Sequence, residues 1–408
     1  MEVLHARCAG LDVHKDTVVA CVRLASRDEV QQEVRSFAST TQGLLSLADW
    51  LTTSAVTHAA MEATGVYWKP VWHVLEGACE LVLANAAQVR NVPGRKTDVN
   101  DAVWIADLLA HGLVRASFVP PTPILELRDL TRTRKQLVRE ISQHTLRIQK
   151  VLEDANLKIT GLISDLLGLS GRAILEALAH GETDVERLVD LTRGRLKAKR
   201  PVLVEALRGH VTEHHQFLLG LHLGQVDALQ RAVTDIEARL GETLGPFRWA
   251  TQLLATMPGV SNVVAQVIVA EVGVDMGRFP TAGHLVSWAG LCPRMDQSAG
   301  KRRSTRVRHG APWLKTVLVQ AAWAGSRTRD SYLRAQFLRL KGRRGAKKAI
   351  LAVAASMLTA AYHMLRDGVE YHDLGADYLD RRDRTKVANR LVRRLEQLGL
   401  KVQVEAAA

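Results

Sequence analysis

The fold is decided near the N-terminus by the stretch Ala9-Gly-Leu-Asp-Val-His-Lys-Asp-Thr-Val-Val-Ala-Cys-Val22. Apolar and β-branched residues flank the polar segment from Asp12 to Asp16, which is typical of a β-hairpin. Two further apolar runs, Val56 to Met61 and Leu81 to Ala84, lie before and after a helical pattern from Tyr67 to Leu75. Strands that alternate with helices indicate an α/β layer fold for this part of the chain.

The first domain is expected to end near residue 118, because prolines at positions 120, 121 and 123 cannot continue a helix or a central strand. A heptad-like apolar pattern follows, and it predicts a long helix, either in a coiled coil or packed on its own domain. Its members are Leu127, Leu130, Leu137, Ile141, Ile148, Val151 and Ala155. We predict a helical coiled-coil and linker region at 124–246, a mostly helical basic domain at 247–365, and a helical tail at 366–408.

A turn signal opens the third region. Met257-Pro-Gly-Val-Ser261 precedes a run of small and apolar residues that stops at Gly273, which is typical of a helix with a glycine cap. A helix-hairpin-helix-like element of this kind lets backbone amides approach a phosphate. A turn with a purely structural purpose would produce the same pattern.

The composition favours a polyanionic partner. Lys and Arg number 55 against 42 Asp and Glu, which gives a formal charge of +13 and favours nucleic acid. Neither a bilayer-spanning apolar run nor an export signal is visible. The four cysteines have no zinc-binding spacing. We therefore expect a cytoplasmic protein with reduced thiols that acts on nucleic acid and not on membranes.

The positive charge is concentrated between Pro293 and Ile350, where 16 Lys or Arg accompany two acids, Asp296 and Asp330. Solvated surfaces usually mix the two signs, so this excess indicates contacts to phosphates. The strongest candidates lie close together in the sequence: Lys301, Arg302, Arg303, Arg306 and Arg308.

Four acids are candidates for chemistry. Asp12 lies in the first predicted strand, Glu62 ends the second apolar run, and Asp98 and Asp101 are spaced to share one face of a helix. Carboxylates brought together repel one another unless a cation lies among them, and Mg²⁺ prefers oxygen ligands. The alternative is that Asp98 caps its helix and Asp101 interacts with the helix dipole.

Several short motifs lie in order along both ends of the chain. They are Gly10-Leu-Asp-Val-His-Lys15, Met61-Glu-Ala-Thr-Gly65, Lys96-Thr-Asp-Val-Asn-Asp-Ala102, Pro258-Gly-Val260, and Gly290-Leu-Cys-Pro293 with Gln297-Ser298 shortly after. In these motifs the chain resembles the insertion-sequence transposases with an N-terminal DEDD domain, which are described as bridge-RNA-guided recombinases.

The resemblance implies an α/β domain of ribonuclease-H-like, RuvC-like fold, in which Asp12, Glu62, Asp98 and Asp101 bind Mg²⁺, with Mn²⁺ as the alternative ion. It also implies that Ser298 is a nucleophile, which joins DNA through a phosphoserine bond. The implied partners are duplex DNA of the element ends and target, a structured guide RNA, and further copies of the chain in a dimer or tetramer.

These features predict a transposase that cleaves, exchanges and rejoins DNA strands. Two rival functions remain open from the sequence. A junction-resolving endonuclease would use only the four acids and water, and would leave Ser298 dispensable. A nucleic-acid-binding protein without catalysis would use the acids only as helix caps and surface charge.

Overall fold

The computed structural model describes residues 2–26, 29–62, 65–84, 89, 101–293, 296–298, 300–304, 306–382 and 384–404, with the backbone alone at 296–298 and 302–303. The chain divides into two compact units, Met1–Val119 and Pro120–Ala408. The division coincides with the proline-rich stretch, where the missing backbone donors interrupt regular structure.

The first unit is built on a five-stranded mixed sheet with the strand order β3-β2-β1-β4-β5. Its strands are β1 (Arg7–Val13), β2 (Thr17–Ala25), β3 (Val30–Ala38), β4 (His58–Glu62) and β5 (Glu80–Ala84). The first three pair in antiparallel fashion, and β4 pairs in parallel with β1 and β5. The predicted N-terminal hairpin and both later strands are confirmed.

Helices cover both faces of this sheet. They are α1 (Thr41–Thr53), α2 (Trp68–Leu75) and α3 (Asp101–Ala110). Leu11 and Met61 belong to a core with residues of α1 and α2, whereas Cys8 and Ala60 pack with residues of α3. The alternation follows from the period of two in a strand, and it assigns the even-numbered residues of β1 to the face that α3 covers.

The second unit begins with a long antiparallel pair of helices, α4 (Thr122–Asp154) and α8 (Glu213–Thr243). The short helices α5 (Leu169–Ala179), α6 (Val185–Asp190) and α7 (Arg200–Leu207) connect them. Asp154 accepts a hydrogen bond from His215 Nε2 at 3.1 Å, and His144 Nδ1 lies 3.3 Å from His222 Nδ1. The predicted long helix is therefore confirmed, and its packing partner is α8 of the same chain.

The remainder of this unit is mostly helical, as predicted. It contains α9 (Arg248–Ala255), α10 (Asn262–Val272), α11 (Ala282–Trp288), α12 (Pro312–Gly325), α13 (Tyr332–Arg344), α14 (Ala346–Asp367), α15 (Tyr378–Arg381) and α16 (Arg384–Glu396), with one hairpin of β6 (Asp296–Ser298) and β7 (Lys301–Ser304). Helix α14 is long and apolar enough to cross a membrane, but it packs against α12 and α13 as a core helix does.

A buried ion pair links α4 to α10. Glu271 is 1% exposed and accepts two hydrogen bonds from Arg132, each of 2.8 Å. Arg128 donates to the backbone oxygens of Ala270 and Glu271, and its own burial lowers its pKa. A buried carboxylate needs such partners because an uncompensated charge in the core is costly.

Candidate functional site

Two of the predicted acids lie side by side at the carboxyl edge of the sheet. Leu11 of β1 pairs with Met61 of β4, and Asp12 and Glu62 directly follow these partners on neighbouring parallel strands. Cys8 and Ala60 face α3. Asp12 is four residues after Cys8 and Glu62 is two residues after Ala60, and residues an even number apart on a strand share one face. Asp12 and Glu62 are therefore on the face of the sheet that α3 covers.

A glycine brings Asp101 to the same edge. A Cβ atom built on Gly10 would lie 2.1 Å from the Ala102 carbonyl oxygen and 2.4 Å from the Ala106 amide nitrogen. Only glycine permits so close an approach of helix and strand. Asp101 is in the first turn of α3, beside Ala102, and the contact at Gly10 consequently places it near the strand position of Asp12.

A buried arginine holds α3 from the neighbouring strand. Arg23 of β2 is 5% exposed, and its Nε donates to Asp107 Oδ1 at 2.8 Å. Gln32 of β3 donates to the same oxygen at 3.0 Å. These positioning residues were not predicted, although Arg23 in an otherwise apolar run is a sequence signal for a buried partner.

The described acids at this edge have different surroundings. Asp12 Oδ2 lies 3.1 Å from His14 Nε2, and the side chain of Glu62 is half-buried. Asp98 lies outside the described residues. Within the part of the chain that the structure describes, no three His, Cys, Asp or Glu side chains form a group that could hold a metal ion.

Ser298 lies in a β-hairpin. It is the last residue of β6 and pairs with Lys301, the first residue of β7. Gly300 has a φ of 74°, which a tight hairpin turn requires. The backbone pairing therefore places Ser298 at the tip of the hairpin.

The base of this hairpin is fixed by close backbone packing. A Cβ atom on Gly310 would lie 2.4 Å from the Gly290 amide nitrogen. Lys315 Nζ donates to the carbonyl oxygens of Arg308 and His309 at 2.9 and 2.8 Å. These contacts hold the two chain segments on either side of the hairpin close together.

Three of the five candidate phosphate-binding cations are exposed on or just after the hairpin, namely Lys301, Arg306 and Arg308. Arg302 and Arg303 belong to β7, and their side chains lie outside the described residues. A basic hairpin with this exposure can contact phosphates through charge alone.

The turn at Gly259 is packed inside the protein. Its φ is 85°, and a Cβ atom there would lie 2.3 Å from the Ala321 carbonyl oxygen and 2.4 Å from the Gly325 amide nitrogen. The predicted helix ends are confirmed, because Ser261 caps α10 and Gly273 ends it. The close neighbour of this glycine is α12, so the structure gives the turn a packing role.

Comparisons with known proteins match both regions. A family model for the DEDD domain of IS110 transposases, described as "Transposase", matches residues 9–157, and one described as "Transposase IS116/IS110/IS902 family" matches residues 251–338. The first range contains the four acids, and the second contains Ser298.

Two curated relatives extend the similarity over most of the chain. The "Insertion element IS110 uncharacterized 43.6 kDa protein" of Streptomyces coelicolor is 26% identical over 328 residues, covering 74% of this chain and 80% of the relative. The "Insertion element IS900 uncharacterized 42 kDa protein" of Mycobacterium paratuberculosis is 26% identical over 338 residues, covering 72% and 80%.

Proposed function

The chain belongs to the IS110 family of transposases, and on that premise we propose that it recombines DNA with a carboxylate site in its first unit and a serine nucleophile in its second. Its transposase activity follows from the two family domains. The observation that supports the carboxylate site is the common edge and face of Asp12 and Glu62, with Asp101 brought alongside by Gly10.

The first unit is proposed to be a ribonuclease-H-like, RuvC-like domain. Its mixed five-stranded sheet, with an N-terminal antiparallel meander and two parallel strands, supports that assignment. In such α/β sheets functional groups lie at the carboxyl ends of the parallel strands, where Asp12 and Glu62 are found.

The donor set at this edge fits a hard divalent cation. Asp12, Glu62 and Asp101 offer carboxylate oxygens, the ligands that Mg²⁺ and Mn²⁺ prefer. The chemistry that such an ion supplies when bound is Lewis-acid polarisation of a phosphodiester oxygen. The protein contributes the placement: the strand register fixes Asp12 against Glu62, and the contact at Gly10 fixes the helix that carries Asp101.

Ser298 is proposed to form the covalent bond to DNA. Its hydroxyl oxygen attacks the phosphorus and the new Oγ–P bond forms. The bond to one flanking deoxyribose oxygen breaks, and that oxygen takes up a proton in place of the one that the serine loses, which leaves a hydroxyl on that strand. Rejoining reverses this step with the hydroxyl of another strand. The hairpin tip and the exposed cations beside it support this role, because they would bring phosphate to the serine.

The partners are part of the same proposal. Duplex DNA binds at the cations Lys301, Arg302, Arg303, Arg306 and Arg308. A structured RNA would supply sequence specificity by base pairing, as in other guided systems, and the active assembly would be a dimer or tetramer. The protein would act in the cytoplasm, on the nucleoid when DNA is bound.

The carboxylate site is tested by replacing each acid with its amide. Asn at Asp12, Asp98 or Asp101, or Gln at Glu62, retains the shape and removes the charge that holds the cation, so recombination should fall to background while DNA binding persists. Asp16→Asn, in the turn between β1 and β2, is the matched control and should recombine normally. Near-normal recombination by the Asp12→Asn and Asp98→Asn proteins would contradict the site.

The serine is tested on denaturing gels. Ser298→Ala should bind nucleic acid and give no protein–DNA adduct, whereas the control Ser304→Ala should give the wild-type amount. An adduct that persists without Ser298 would reject this nucleophile. Strand cleavage that persists without any adduct would favour the endonuclease that uses water.

A further inference from the structure

A cationic groove lies between α13 and α16 in the C-terminal region, with a cavity volume of about 930 Å³. Six of its lining side chains are basic, and none of the described lining residues is an acid. The basic residues are Arg339, Arg343, Lys386, Arg390, Arg393 and Arg394. We call this feature the tail groove.

Helical spacing aligns these charges. Arg339 and Arg343 are four residues apart on α13, and Arg390 and Arg394 are four apart on α16, so each pair shares one helical face. Helix α13 carries five basic residues and no acid, and α16 carries five basic residues and one acid, Glu396. Two basic faces therefore line the same space.

Several surface arginines elsewhere in this unit are paired with neighbouring carboxylates. Arg200 bridges Glu186 and Asp190, with both distances at 2.5 Å, and Arg208 lies 3.4 Å from Glu205. In contrast, four arginines of the tail groove form no ion pair with a described carboxylate. They are Arg343, Arg390, Arg393 and Arg394.

Among the described residues, an acid lies next to the tail groove. Asp380 lines an adjoining cavity of about 260 Å³, which shares Arg339, Arg343 and Arg390 with the tail groove. Asp380 alone cannot compensate the four arginines that form no ion pair with a described carboxylate. Like charges that face one another across a groove repel until an anion binds between them. Six basic side chains in one groove suit a polyanion better than a single small ion.

The tail groove lies outside the regions that define the family. The matched models end at residue 338, and every cation of the groove comes after that position. We propose that the tail groove is an additional nucleic-acid-binding site, which holds the phosphodiester backbone of DNA or RNA. Its residues are not those of the carboxylate edge or of the Ser298 hairpin, and it adds affinity without taking part in bond formation.

The test is equilibrium binding of the full chain, purified free of nucleic acid, to a 30-base-pair duplex DNA and to an RNA hairpin. Divalent ions are left out, so failure of the proposed catalytic sites would not affect the result. In the groove variant Arg343, Arg390 and Arg394 are each replaced by Gln. Its affinity for at least one probe should fall about 100-fold near 150 mM salt, a factor of about five for each lost phosphate contact.

The salt dependence provides a second readout. Losing three contacts should reduce the log–log slope by about 2.7 on duplex DNA. The matched control replaces Arg187, Arg200 and Arg208 by Gln, which removes the same net charge from arginines that have acidic partners. The control should bind nearly as the wild type does.

The two probes show whether the bound phosphodiester backbone is that of DNA or of RNA. A loss confined to DNA assigns the tail groove to DNA, a loss confined to RNA assigns it to RNA, and either result supports the site. Unchanged binding of both probes by the groove variant would overturn the proposal. An equal loss in the control would also overturn it, because net charge alone would then explain the effect.

Discussion

Replacing Gly10 by Ala should disturb both the stability of the first unit and the carboxylate edge. The added methyl group would lie 2.1 Å from the Ala102 carbonyl oxygen and 2.4 Å from the Ala106 amide nitrogen. Both are backbone atoms of α3, and they cannot swing aside as the end of a flexible side chain can. Helix α3 must therefore move away from β1.

The size of the effect follows from these contacts. Separations of 2.1 and 2.4 Å require an outward shift of at least about 1 Å to reach van der Waals distance. Overpacking of this kind costs about 3 kcal/mol, the upper end of the usual range. For a unit of this size the midpoint of thermal unfolding should fall by roughly 10 °C. The shift also carries Asp101 away from Asp12, and a misplacement of about 1 Å can lower a rate about 100-fold.

A second glycine provides the matched control. A Cβ atom on Gly43 would lie 2.2 Å from the Ala38 carbonyl oxygen, a comparable backbone collision on α1. Gly43→Ala should lower the unfolding midpoint in a similar way and should leave recombination near normal when the assay is run well below that midpoint. Circular dichroism measures the unfolding, and product yield measures recombination.

The reasoning is refuted if Gly10→Ala unfolds at the wild-type temperature and recombines normally. It is also refuted in its functional part if the Gly10→Ala and Gly43→Ala proteins lose activity to the same extent, because general destabilisation would then account for both.

Four further outcomes are expected. Glu271→Gln should destabilise the second unit by about 3 kcal/mol in urea unfolding, because it leaves buried guanidinium charge uncompensated, and an unchanged midpoint would contradict this. Burial raises the pKa of the Cys8 and Cys21 thiols to about 11, so both should resist iodoacetamide at pH 8 in the folded protein, and labelling as fast as in urea would exclude the buried environment. Because these thiols have a higher pKa in the folded protein than in the unfolded chain, stability should fall as the pH rises from about 9, the ordinary thiol range, toward 11. Thermal melts of the wild type and of the two Cys→Ala variants measure this loss. Leu137 and Ile141 are both half-buried on α4, and replacing them by Asp should lower helicity by disrupting the packing of α4 on α8. If the assembly also uses this helix, the mass in solution should fall to that of a monomer. Full helicity with an unchanged mass would reject both roles.

The sequence predicted the strands that carry an apolar pattern and missed one that does not. Strand β3, Val30–Ala38, is exposed along almost its whole length and alternates no apolar residues with polar ones. It is a strand because β2 offers it a hydrogen-bonding edge, which is a tertiary contact. Helix α1 was also missed, although buried Leu44, Leu47 and Leu51 have helical spacing and Thr40 caps the helix.

The candidate site could be predicted as a set of residues, but only partly as a geometry. Glu62 at the end of an apolar run was a correct indication of a strand end. That Asp12 lies beside Glu62 depends on parallel pairing between distant segments, and their sequence patterns do not specify the partner or the register. The role of Gly10 could not be predicted either, because it depends on the packing of α3 against β1.

The same limit applies to the second unit. The heptad-like pattern of α4 predicted a packed helix, but a hydrophobic seam does not identify its partner, and the structure assigns that partner to α8. The hairpin that contains Ser298 was not predicted from the sequence. The hairpin depends on the pairing of Ser298 with Lys301 across a two-residue turn, and the sequence Ala299-Gly300 is a weak signal for it.

The most direct test of the central claim is to identify the residue that becomes joined to DNA. The wild-type protein is trapped with its substrate and a divalent ion, then digested with trypsin and analysed by mass spectrometry. Cleavage after Arg294 and Lys301 yields the peptide Met295-Asp-Gln-Ser-Ala-Gly-Lys301, in which Ser298 is the only hydroxyl residue. The account predicts a nucleotide adduct on this peptide that disappears with a chelator and in the Asp12→Asn protein. An adduct on the neighbouring peptide with Ser304, or cleaved DNA with no adduct on any peptide, would contradict it.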